Sequence, residues 1–555
     1  MHVALVSTYT HPFALGLRYI SSCLKTAGHR VTVFFMSSKR DTAEPDYAPA
    51  ALDDFVARLR DCDLIGLSLM TNSFHRACLL TRRIREAGLR APIVWGGIHP
   101  TVLPEECLEH ADIVCVGEGE EAMLRLVEHL EADRDPLGLP NLWFRADGPF
   151  RNATTVRNPP GPLITRLDDL PPPDYELDTH WVAARHGLEP ARPGNLRGAL
   201  ETLRVVTARG CPYHCTFCNN AALRNVYGAR GRWVRLRSLD NVLAELRQAR
   251  ACFPTIRAVN FVDDLFLVRT EAELEEFARR YRAEVNLPLQ LDAFPNTVTE
   301  GKVRALARLP IELVSMGIES ASEDTLRNIY RRPTSPRRIA EAIALLARYR
   351  LRAEYHYIVS NPYEPEQNVI ETMRFIATHH RGRAVLRVFP LMFYPGTPLY
   401  ERARADGRLG VRDDAAYDYM GTGALQFARH DYLAIWLRIV LNLRNLGVPP
   451  SLCHRVIDIV THPTVRRRLD RPWFAPAVFF TYQLTRKIVR NFIYQPFVRP
   501  FKYLRRWRRP GPAASRPWRL AHAGFARSKV PAPVGAQSEA ATASAVQSVT
   551  AEYEP

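Results

Sequence analysis

Three cysteines stand close together in the middle of the chain, in the segment CPYHCTFC at residues 211–218. Cys211, Cys215 and Cys218 follow a β-like run at 203–207 and the dipeptide Arg209-Gly210. Thiolates are the protein ligands of iron–sulfur clusters, and a four-iron cluster normally takes four of them. Three cysteines with no fourth nearby therefore predict a cluster in which one iron is left open for a further ligand.

Zinc is the alternative to this cluster. A zinc ribbon usually pairs such a cysteine group with a second Cys or His pair downstream, and no second pair occurs at that spacing. Three unrelated buried cysteines are a second alternative. The whole chain holds only 10 cysteines, so three within eight residues are improbable by chance. The iron–sulfur cluster is the preferred interpretation.

The length and composition of the chain limit its class. At 555 residues it is too long for one core, which predicts at least two folded domains. The other cysteines are scattered, as expected for a reduced cytoplasmic protein. No signal-like N-terminus and no run of 18 apolar residues is present, so a secreted or membrane-spanning protein is not expected. The net charge of +17 is concentrated, because residues 466–509 hold 13 Lys and Arg against one acid.

Short apolar strands alternate with amphipathic helices over the first 150 residues. This alternation predicts a doubly wound parallel sheet that binds its ligand at the carboxyl ends of the strands. The predicted strands are His2–Ser7, Val31–Phe35, Leu64–Leu69, Ile93–Trp95 and Asp112–Val116. The predicted helices are Phe13–Ala27, Ala50–Arg60, Phe74–Ala87 and Glu120–Leu130.

Polar and glycine residues follow the ends of these strands. Each one alone is typical of a tight turn, but four such strand ends on one face favour a binding crevice. No GxGxxG opens the first helix, which disfavours a dinucleotide. The candidate binding residues are Thr8, Ser68, Thr71, Gly96, Gly97, His99, Gly117, Glu118 and Gly119.

This region resembles the cobalamin-binding domain that precedes many radical S-adenosylmethionine (SAM) enzymes. The resemblance lies in Leu15-Gly16-Leu17 after Pro12, AGHRV at 27–31, WGGIHPT at 95–101 and VGEGE at 116–120. It implies that the candidate residues bind cobalamin. The DxHxxG motif that supplies a cobalt ligand in some relatives is absent, and the nearest window is 9–14. We therefore expect His11 to be a loop residue and cobalamin to lack a protein histidine below the cobalt.

Six strand-like runs separated by helices occur between residues 200 and 405. They predict a parallel sheet curled into a partial (β/α)6 barrel, with its site at the carboxyl ends of the strands. The cysteine segment lies just after the first of them. The predicted strands are Thr202–Thr207, Ala258–Val262, Leu289–Asp292, Leu313–Gly317, Ala353–Val359 and Ala384–Phe389.

The cysteine spacing, with Phe217 before the last cysteine, resembles the radical SAM superfamily. The resemblance implies that the three cysteines hold a [4Fe–4S] cluster and that SAM binds the open iron near Phe217. It also implies cleavage of SAM to a 5′-deoxyadenosyl radical, chemistry that side chains alone cannot perform. The segment MGIESAS at 316–322 matches the GIES pattern of the family, which implies that Glu319 binds the ribose of SAM, with Ser320 as a possible helper. The alternative role for Glu319 is to cap the following helix.

Three further loops of the barrel, at 263–264, 360–365 and 394–400, bear on this resemblance. Asp263 and Asp264 follow the second strand, where Asp263 is a candidate SAM ligand and either acid is equally suited to capping a helix. The segment YPGTPLY at 394–400 is similar to one that closes the site in cobalamin-type relatives. Residues 360–365 keep the proline of the Gly-x-Pro-Gly-Glu-Thr motif but lack its glycines.

The remaining segments are predicted to be a connector and an extension. A triple proline at 171–173 favours a rigid linker. The apolar stripe at 431–446 predicts a helix packed on the core. Aromatic and basic residues alternate over 473–509, which favours an interfacial segment on anionic lipid, with a phosphorylated substrate, nucleic acid or a plain solvated face as alternatives. The predicted bounds are 1–140 for the cobalamin-binding domain, 141–199 for the linker, 200–405 for the barrel, 406–510 for the helical extension and 511–555 for a disordered tail.

Together these features predict a cobalamin-dependent radical SAM enzyme, most simply a C-methyltransferase. We expect a 5′-deoxyadenosyl radical to activate a carbon of a lipid or natural-product substrate, and methylcobalamin to supply the methyl group. A cobalamin-linked cyclase or oxidase is the alternative enzyme. A zinc-containing nucleic-acid- or membrane-binding protein is the alternative of another class. The expected partners are a small-molecule or lipid substrate, an electron donor of flavodoxin or ferredoxin type, and the inner face of the membrane; nucleic acid is disfavoured.

Overall fold

The computed structural model describes ten stretches of the chain, all within the unit Met1–Lys487. They are residues 1–9, 14–36, 47–150, 153–184, 186–193, 195–196, 201–228, 231–380, 384–409 and 432–471. The predictions for His11, the basic-aromatic segment 473–509 and the tail 511–555 lie outside the described residues.

A nine-stranded sheet forms the N-terminal part. Its strands are β1 (His2–Ser7), β2 (Arg30–Phe35), β3 (Leu64–Ser68), β4 (Ile93–Gly96), β5 (Ile113–Cys115), β6 (Leu142–Phe144), β7 (Val156–Arg157), β8 (His180–Ala184) and β9 (Gly187–Pro190). Its helices are α1 (Leu15–Thr26), α2 (Pro49–Arg58), α3 (Phe74–Glu86), α4 (Ile98–Val102), α5 (Pro104–Leu108) and α6 (Glu120–Glu131). The predicted α/β alternation is confirmed, with strand bounds shifted by at most two residues.

The strand order is β7-β6-β5-β4-β3-β1-β2-β8-β9. β1 pairs in parallel with both β2 and β3, so the strand order reverses beside it and the crevice of a doubly wound sheet opens there. β1 is apolar along its length because helices cover both faces of the sheet. Val3 and Leu5 pack on one side, whereas Ala4 and Val6 pack on the other.

The segment predicted as a connector adds four strands to this sheet. β6 and β7 extend one edge in antiparallel pairs, and β8 pairs in parallel with β2 on the other edge, followed by the antiparallel β9. These strands are two to five residues long, too short to show alternation between prolines. Residues 141–199 therefore wrap both edges of the first sheet as well as linking it to the barrel.

A second sheet of six parallel strands forms the predicted partial barrel. Its strands follow the chain order β10 (Thr202–Val205), β13 (Ala258–Phe261), β14 (Leu289–Ala293), β15 (Ile311–Glu319), β16 (Ala353–Val359) and β17 (Val385–Pro390), and a small ribbon pairs β11 (Ala208–Arg209) with β12 (Arg235–Leu236). The helices are α7 (Asn219–Tyr227), α8 (Leu239–Cys252), α9 (Glu271–Glu284), α10 (Glu300–Leu306), α11 (Pro336–Arg348), α12 (Glu366–His379) and α13 (Pro398–Ala405). One face of every strand packs on these helices in the largest apolar core.

Three further helices pack on the barrel: α14 (Tyr432–Asn445), α15 (Pro450–Thr461) and α16 (Pro463–Leu469). The apolar stripe predicted for α14 is confirmed as core packing, because Leu437 and Val440 are fully buried in the core of the barrel. Arg374 on α12 also forms an ion pair with Asp458 on α15. Within the described stretches, no helix combines the length and apolar character needed to cross a bilayer.

Replacement of Leu437 by Ala tests whether α14 belongs to the fold of the barrel. Leu437 is 1% exposed, so the cavity left behind should lower the free energy of unfolding by about 2–5 kcal/mol. Urea unfolding followed by circular dichroism measures this change. Leu446→Ala is the control, since Leu446 is 81% exposed and its loss should cost less than about 0.5 kcal/mol. Equal effects of the two changes would contradict the packing.

Candidate active site

The cysteine loop lies between the ribbon strand β11 and helix α7, which begins directly after Cys218. Gly210 enters the loop with φ +84°, and a Cβ at this position would collide with the carbonyl oxygen of Trp233. Only glycine fits this close approach. The cysteine loop therefore follows a strand end, as the sequence predicts, and Gly210 makes its entry tight.

Backbone hydrogen bonds fix the middle of the loop. The Thr216 amide donates to the Tyr330 carbonyl at 3.0 Å, and its hydroxyl donates to the Ile329 carbonyl at 2.7 Å. Leu399, in the predicted closing segment, donates its amide to the Thr216 carbonyl at 2.9 Å. The loop is thus held by the π-helical turn after β15 and by the start of α13.

The three thiols are held in a desolvated setting. Burial raises the pKa of Cys211 to about 12 and the pKa of Cys218 to about 11, and it also raises the pKa of Cys215. Such thiols stay protonated in the metal-free loop and become thiolates when they bind a cationic centre. In the described stretches, no three His, Cys, Asp or Glu side chains are grouped as ligands of one metal ion. Each thiolate of a [4Fe–4S] centre binds a different iron, so three cysteines on one loop suit such a cluster.

The paired acids after β13 have different roles. Asp263 is buried, and it accepts hydrogen bonds from the amide and hydroxyl of Thr207 and from the Ala208 amide, the last at 3.0 Å. Burial raises the pKa of Asp263 to about 6, against the effect of these bonds. Its carboxylate thus anchors the chain that leads to the cysteines, and the contact of Asp263 with SAM stays a prediction.

Asp264 is the acid that faces the cysteine loop. It accepts hydrogen bonds from the Gly210 amide at 3.2 Å and from the Asn220 side chain at 2.7 Å. Its carboxylate is exposed to a cavity but surrounded by protein, and this desolvation raises its pKa. Neither acid caps a helix, since Thr270 caps α9.

Glu319 ends β15 at a bulge, with φ +69°. Its carboxylate folds back over Gly317, where a Cβ would strike it. Burial raises the pKa of Glu319, and the nearby Arg332 opposes this effect. Asp324 rather than Glu319 occupies the cap of the following turn. The position leaves Glu319 suited to the predicted ribose contact.

Arg332 is a site residue that the sequence did not indicate. It is 7% exposed. Its Nη1 lies 3.6 Å from the Sγ of Cys215, its Nη2 donates to the Gly317 carbonyl, and its guanidinium lies 4.2 Å from the ring centroid of Phe294. One cation thus serves both a cluster ligand and the strand that carries Glu319.

Two predicted SAM contacts are engaged elsewhere. The hydroxyl of Ser320 donates to Glu364 at 2.9 Å and lies 3.1 Å from the hydroxyl of Thr372, so it fixes the end of β15 to α12. Phe217 packs edge-on against Tyr330, with ring centroids 4.9 Å apart, in a small apolar cluster. Ser320 and Phe217 therefore pack against other parts of the barrel and help to hold the site in shape.

A cavity of about 380 Å³ lies at the carboxyl ends of β1, β3, β4 and β5. A second cavity of about 310 Å³ shares part of its wall. Gly97 and Gly117 have φ of +109° and +97°, and a Cβ on either residue would collide with Leu69 or Tyr227. Backbone thus lines one side, as a wide, flat ring such as the corrin of cobalamin requires. Six of the predicted cobalamin residues line the first cavity: Ser68, Gly96, Gly97, Gly117, Glu118 and Gly119.

The other three predicted contacts are not among its lining residues. The Thr8 hydroxyl donates to Ser73 at 2.8 Å. The Nδ1 of His99 lies 3.3 Å from the Thr71 hydroxyl, and its Nε2 lies 3.2 Å from Glu106. Residues 10–13, which include His11, lie outside the described part of the chain, so the expectation that cobalt lacks a protein histidine stays a prediction.

The opposite wall of this cavity belongs to the barrel. Arg209 and Asp264 line both cavities and also flank Gly210 at the entry of the cysteine loop. Glu118 accepts from Arg209 and Arg235, each at 2.9 Å. Burial would raise the pKa of Glu118, but these two cations outweigh burial and lower it. A ligand on the strand ends of the first sheet therefore lies against the cluster loop.

This geometry suits an iron–sulfur enzyme, because a cysteine loop adjoins a ligand-sized cavity at the contact between two α/β domains. Comparison with known proteins identifies both domains. The B12 binding domain matches residues 1–127, and the Radical SAM superfamily matches residues 205–376. The chain thus combines a B12 binding domain with a radical SAM domain, and its cofactors are a [4Fe–4S] cluster, SAM and cobalamin.

Three relatives illustrate the range of the similarity. An uncharacterized methyltransferase of Pyrococcus horikoshii is 26% identical over 71% of this chain and 79% of its own. An anaerobic magnesium-protoporphyrin IX monomethyl ester cyclase of Synechocystis is 25% identical over 61% of this chain and 62% of its own. The methyltransferase TsrM of Kitasatospora setae, solved with cobalamin and a [4Fe–4S] cluster, has a TM-score of 0.56 at 20% identity over 74% of this chain and 76% of its own, and it shares the fold.

Substitution of Gly210 by Ala tests the tight entry to the cysteine loop. A side chain there must adopt a left-handed φ, which costs about 1–2 kcal/mol, and must also displace Trp233. We expect a clear loss of iron and sulfide per chain after anaerobic reconstitution. Gly138→Ala is the control, because a Cβ at Gly138 has no neighbour within 4 Å. Full cluster loading of the Gly210 variant would refute the close approach.

Substitution of Glu319 by Gln tests the proposed ribose contact. A hydrogen bond to a charged group contributes about 1.5–3 kcal/mol, so SAM should bind about 10–100-fold more weakly. Equilibrium dialysis of labelled SAM with the oxidised, cluster-loaded protein measures this affinity. Glu323→Gln, an exposed acid four residues away, should bind SAM normally. Unchanged affinity in the Glu319 variant would exclude the contact.

Proposed function

We propose that this enzyme transfers a methyl group to a carbon atom of a small-molecule substrate. The observation that carries the proposal is the shared wall: Arg209 and Asp264 flank the entry to the cysteine loop and also line the cavity at the glycine-bearing strand ends. When bound, the cluster with SAM supplies radical cleavage, and cobalamin supplies methyl transfer. A methylation that combines the two requires their sites to adjoin.

The residues of the chain hold and separate these two sites. Cys211, Cys215 and Cys218 bind the cluster, Glu319 holds the ribose of SAM, and Arg332 keeps a positive charge beside Cys215. The six lining residues of the first cavity hold cobalamin. Closure by the segment that begins α13 keeps water from the radical, since Leu399 is buried and its amide is bonded to the cysteine loop.

A radical cyclisation is the second candidate. The similarity to the anaerobic cyclase of Synechocystis favours it, because that relative matches over a length comparable to that of methyltransferase relatives. The products separate the two, since a cyclase forms 5′-deoxyadenosine without methylating its substrate. An external electron donor of flavodoxin or ferredoxin type and a membrane contact through 473–509 remain parts of the proposal.

The test is anaerobic reconstitution with iron, sulfide and cobalamin, followed by incubation with methyl-labelled SAM, a reductant and a cell extract. We expect a bound-cobalamin absorption spectrum, 5′-deoxyadenosine and label in an extract component. The control is the triple variant Cys211→Ala, Cys215→Ala and Cys218→Ala, which should lose iron and 5′-deoxyadenosine while keeping cobalamin. 5′-Deoxyadenosine without labelled product would refute methyl transfer, and zinc without sulfide would refute the cluster.

A further inference from the structure

The inward face of the barrel is unusually polar. Successive residues of a strand point to opposite faces. Leu291, Met316 and Tyr355 pack outward in the apolar core between the sheet and its helices. Their chain neighbours therefore point into the barrel. Parallel barrels commonly fill that space with branched apolar side chains, so charged residues there need a separate explanation.

Four inward side chains form a polar group that no cofactor role explains. We call it the interior quartet, and it consists of Asp292 on β14, Glu354 and His356 on β16, and Arg387 on β17. Strand register places Ser315 between Asp292 and Glu354, and it places His356 between Gly317 and Arg387. Gly317 and Ser315 lie two and four residues before Glu319, so the quartet occupies the two inward layers below the proposed ribose ligand.

Glu354 is the internal anchor of the quartet. It is only 6% exposed on its side chain and is paired on Oε1 with Arg387 Nε at 2.6 Å and His356 Nε2 at 2.9 Å. Burial would raise the pKa of Glu354, but these two partners lower it. Arg387 itself remains 41% exposed on its side chain. Within the described residues its terminal nitrogens have no acceptor, so they are available to a ligand.

Asp292 supplies a hydrogen-bond acceptor, in contrast to the donors of Arg387. It is exposed to the interior, and no cationic side chain of the described stretches forms an ion pair with it. Burial raises its pKa to about 6, which His356 and Ser315 partly oppose. The quartet therefore offers donors on Arg387 and an acceptor on Asp292. An acyl chain in this space would desolvate both groups without replacing their hydrogen bonds, which is unfavourable.

We propose that the interior quartet binds the substrate, and that the part of the substrate inside the barrel is hydrophilic. It presents an anionic group, such as a carboxylate or phosphate, to Arg387 and a hydrogen-bond donor to Asp292. This inference rests on the proposed function in one respect, namely that the substrate reacts beside the cluster. It favours a water-soluble substrate over the lipid that was also expected from sequence.

The test uses two probes, the aqueous and the chloroform-soluble fractions of an extract of the cells that make the protein. Each fraction is added to the reconstituted enzyme with methyl-labelled SAM and a reductant. We expect the aqueous fraction alone to accelerate formation of 5′-deoxyadenosine at least about tenfold. This stimulation should fall about tenfold or more in Arg387→Gln and Asp292→Asn, since each loses a bond to a charged group worth about 1.5–3 kcal/mol.

Matched variants separate binding from folding. Arg387→Lys keeps the charge and should restore part of the stimulation, whereas Glu276→Gln removes a surface carboxylate on α9 and should leave it unchanged. Iron content and melting temperature report the folding of each variant. Stimulation by the chloroform-soluble fraction, by neither fraction, or equally in Arg387→Gln and wild type would overturn the inference. Aqueous stimulation without transfer of label would uphold the quartet and refute methyl transfer.

Discussion

The contact between the cysteine loop and the strand ends of the first sheet is the constraint on which the rest of the structure depends. Glu118 of the β5–α6 turn is held by Arg209 and Arg235 of the β11–β12 ribbon, and Glu120 pairs with Arg209 as well. Breaking a buried ion pair on one side costs about 3–5 kcal/mol, because the other charge is left without a partner. Since Arg209 lies two residues before Cys211, these ion pairs fix the position of the first cysteine relative to the glycine-lined cavity. They also hold the two domains together at this contact.

Burial from water shifts the pKa values of the groups near this contact. The thiols of the cysteine loop, Glu319 and Asp264 all have a pKa raised by burial. Arg332 is the cation placed among them, next to Cys215 and opposing the pKa rise of Glu319. A low-dielectric site strengthens each remaining interaction. Because the site is buried, the charge of Arg332 acts strongly on both Cys215 and Glu319.

Much of the fold could be predicted from sequence because apolar strands and amphipathic helices alternate within each of the two domains. The barrel strand Ala353–Val359 has the predicted bounds, and the cysteine loop lies where the βα rule places it. The β-like run at Leu142 is confirmed as β6, whereas the short edge strands β7 to β9 were missed because two to five residues are too few to show a period. The sequence could not distinguish the roles of Asp263 and Asp264. Neighbouring residues at a strand end point to opposite sides, and only the folded loop shows which carboxylate is hydrogen-bonded to the backbone of Thr207 and which faces the cysteine loop. Arg332 had no signal, because its partners come from three separate segments.

In the barrel strands, the residues that build the apolar core differ from those that the proposal assigns to substrate binding. The outward residues of β14, β15 and β16 form the apolar core, whereas their inward neighbours lie outside it. Asp292 illustrates the cost. Burial places its folded pKa at about 6, above the value of about 3.9 typical of an unfolded chain, so the carboxylate is destabilising above pH 6 and this cost disappears as the pH falls toward 4. The alternation that would have revealed this group was present in the sequence, as acids, a histidine and an arginine at inward positions of three strands. A charge retained at a cost to stability, inside the barrel and below Glu319, is the reason for proposing a ligand that compensates it.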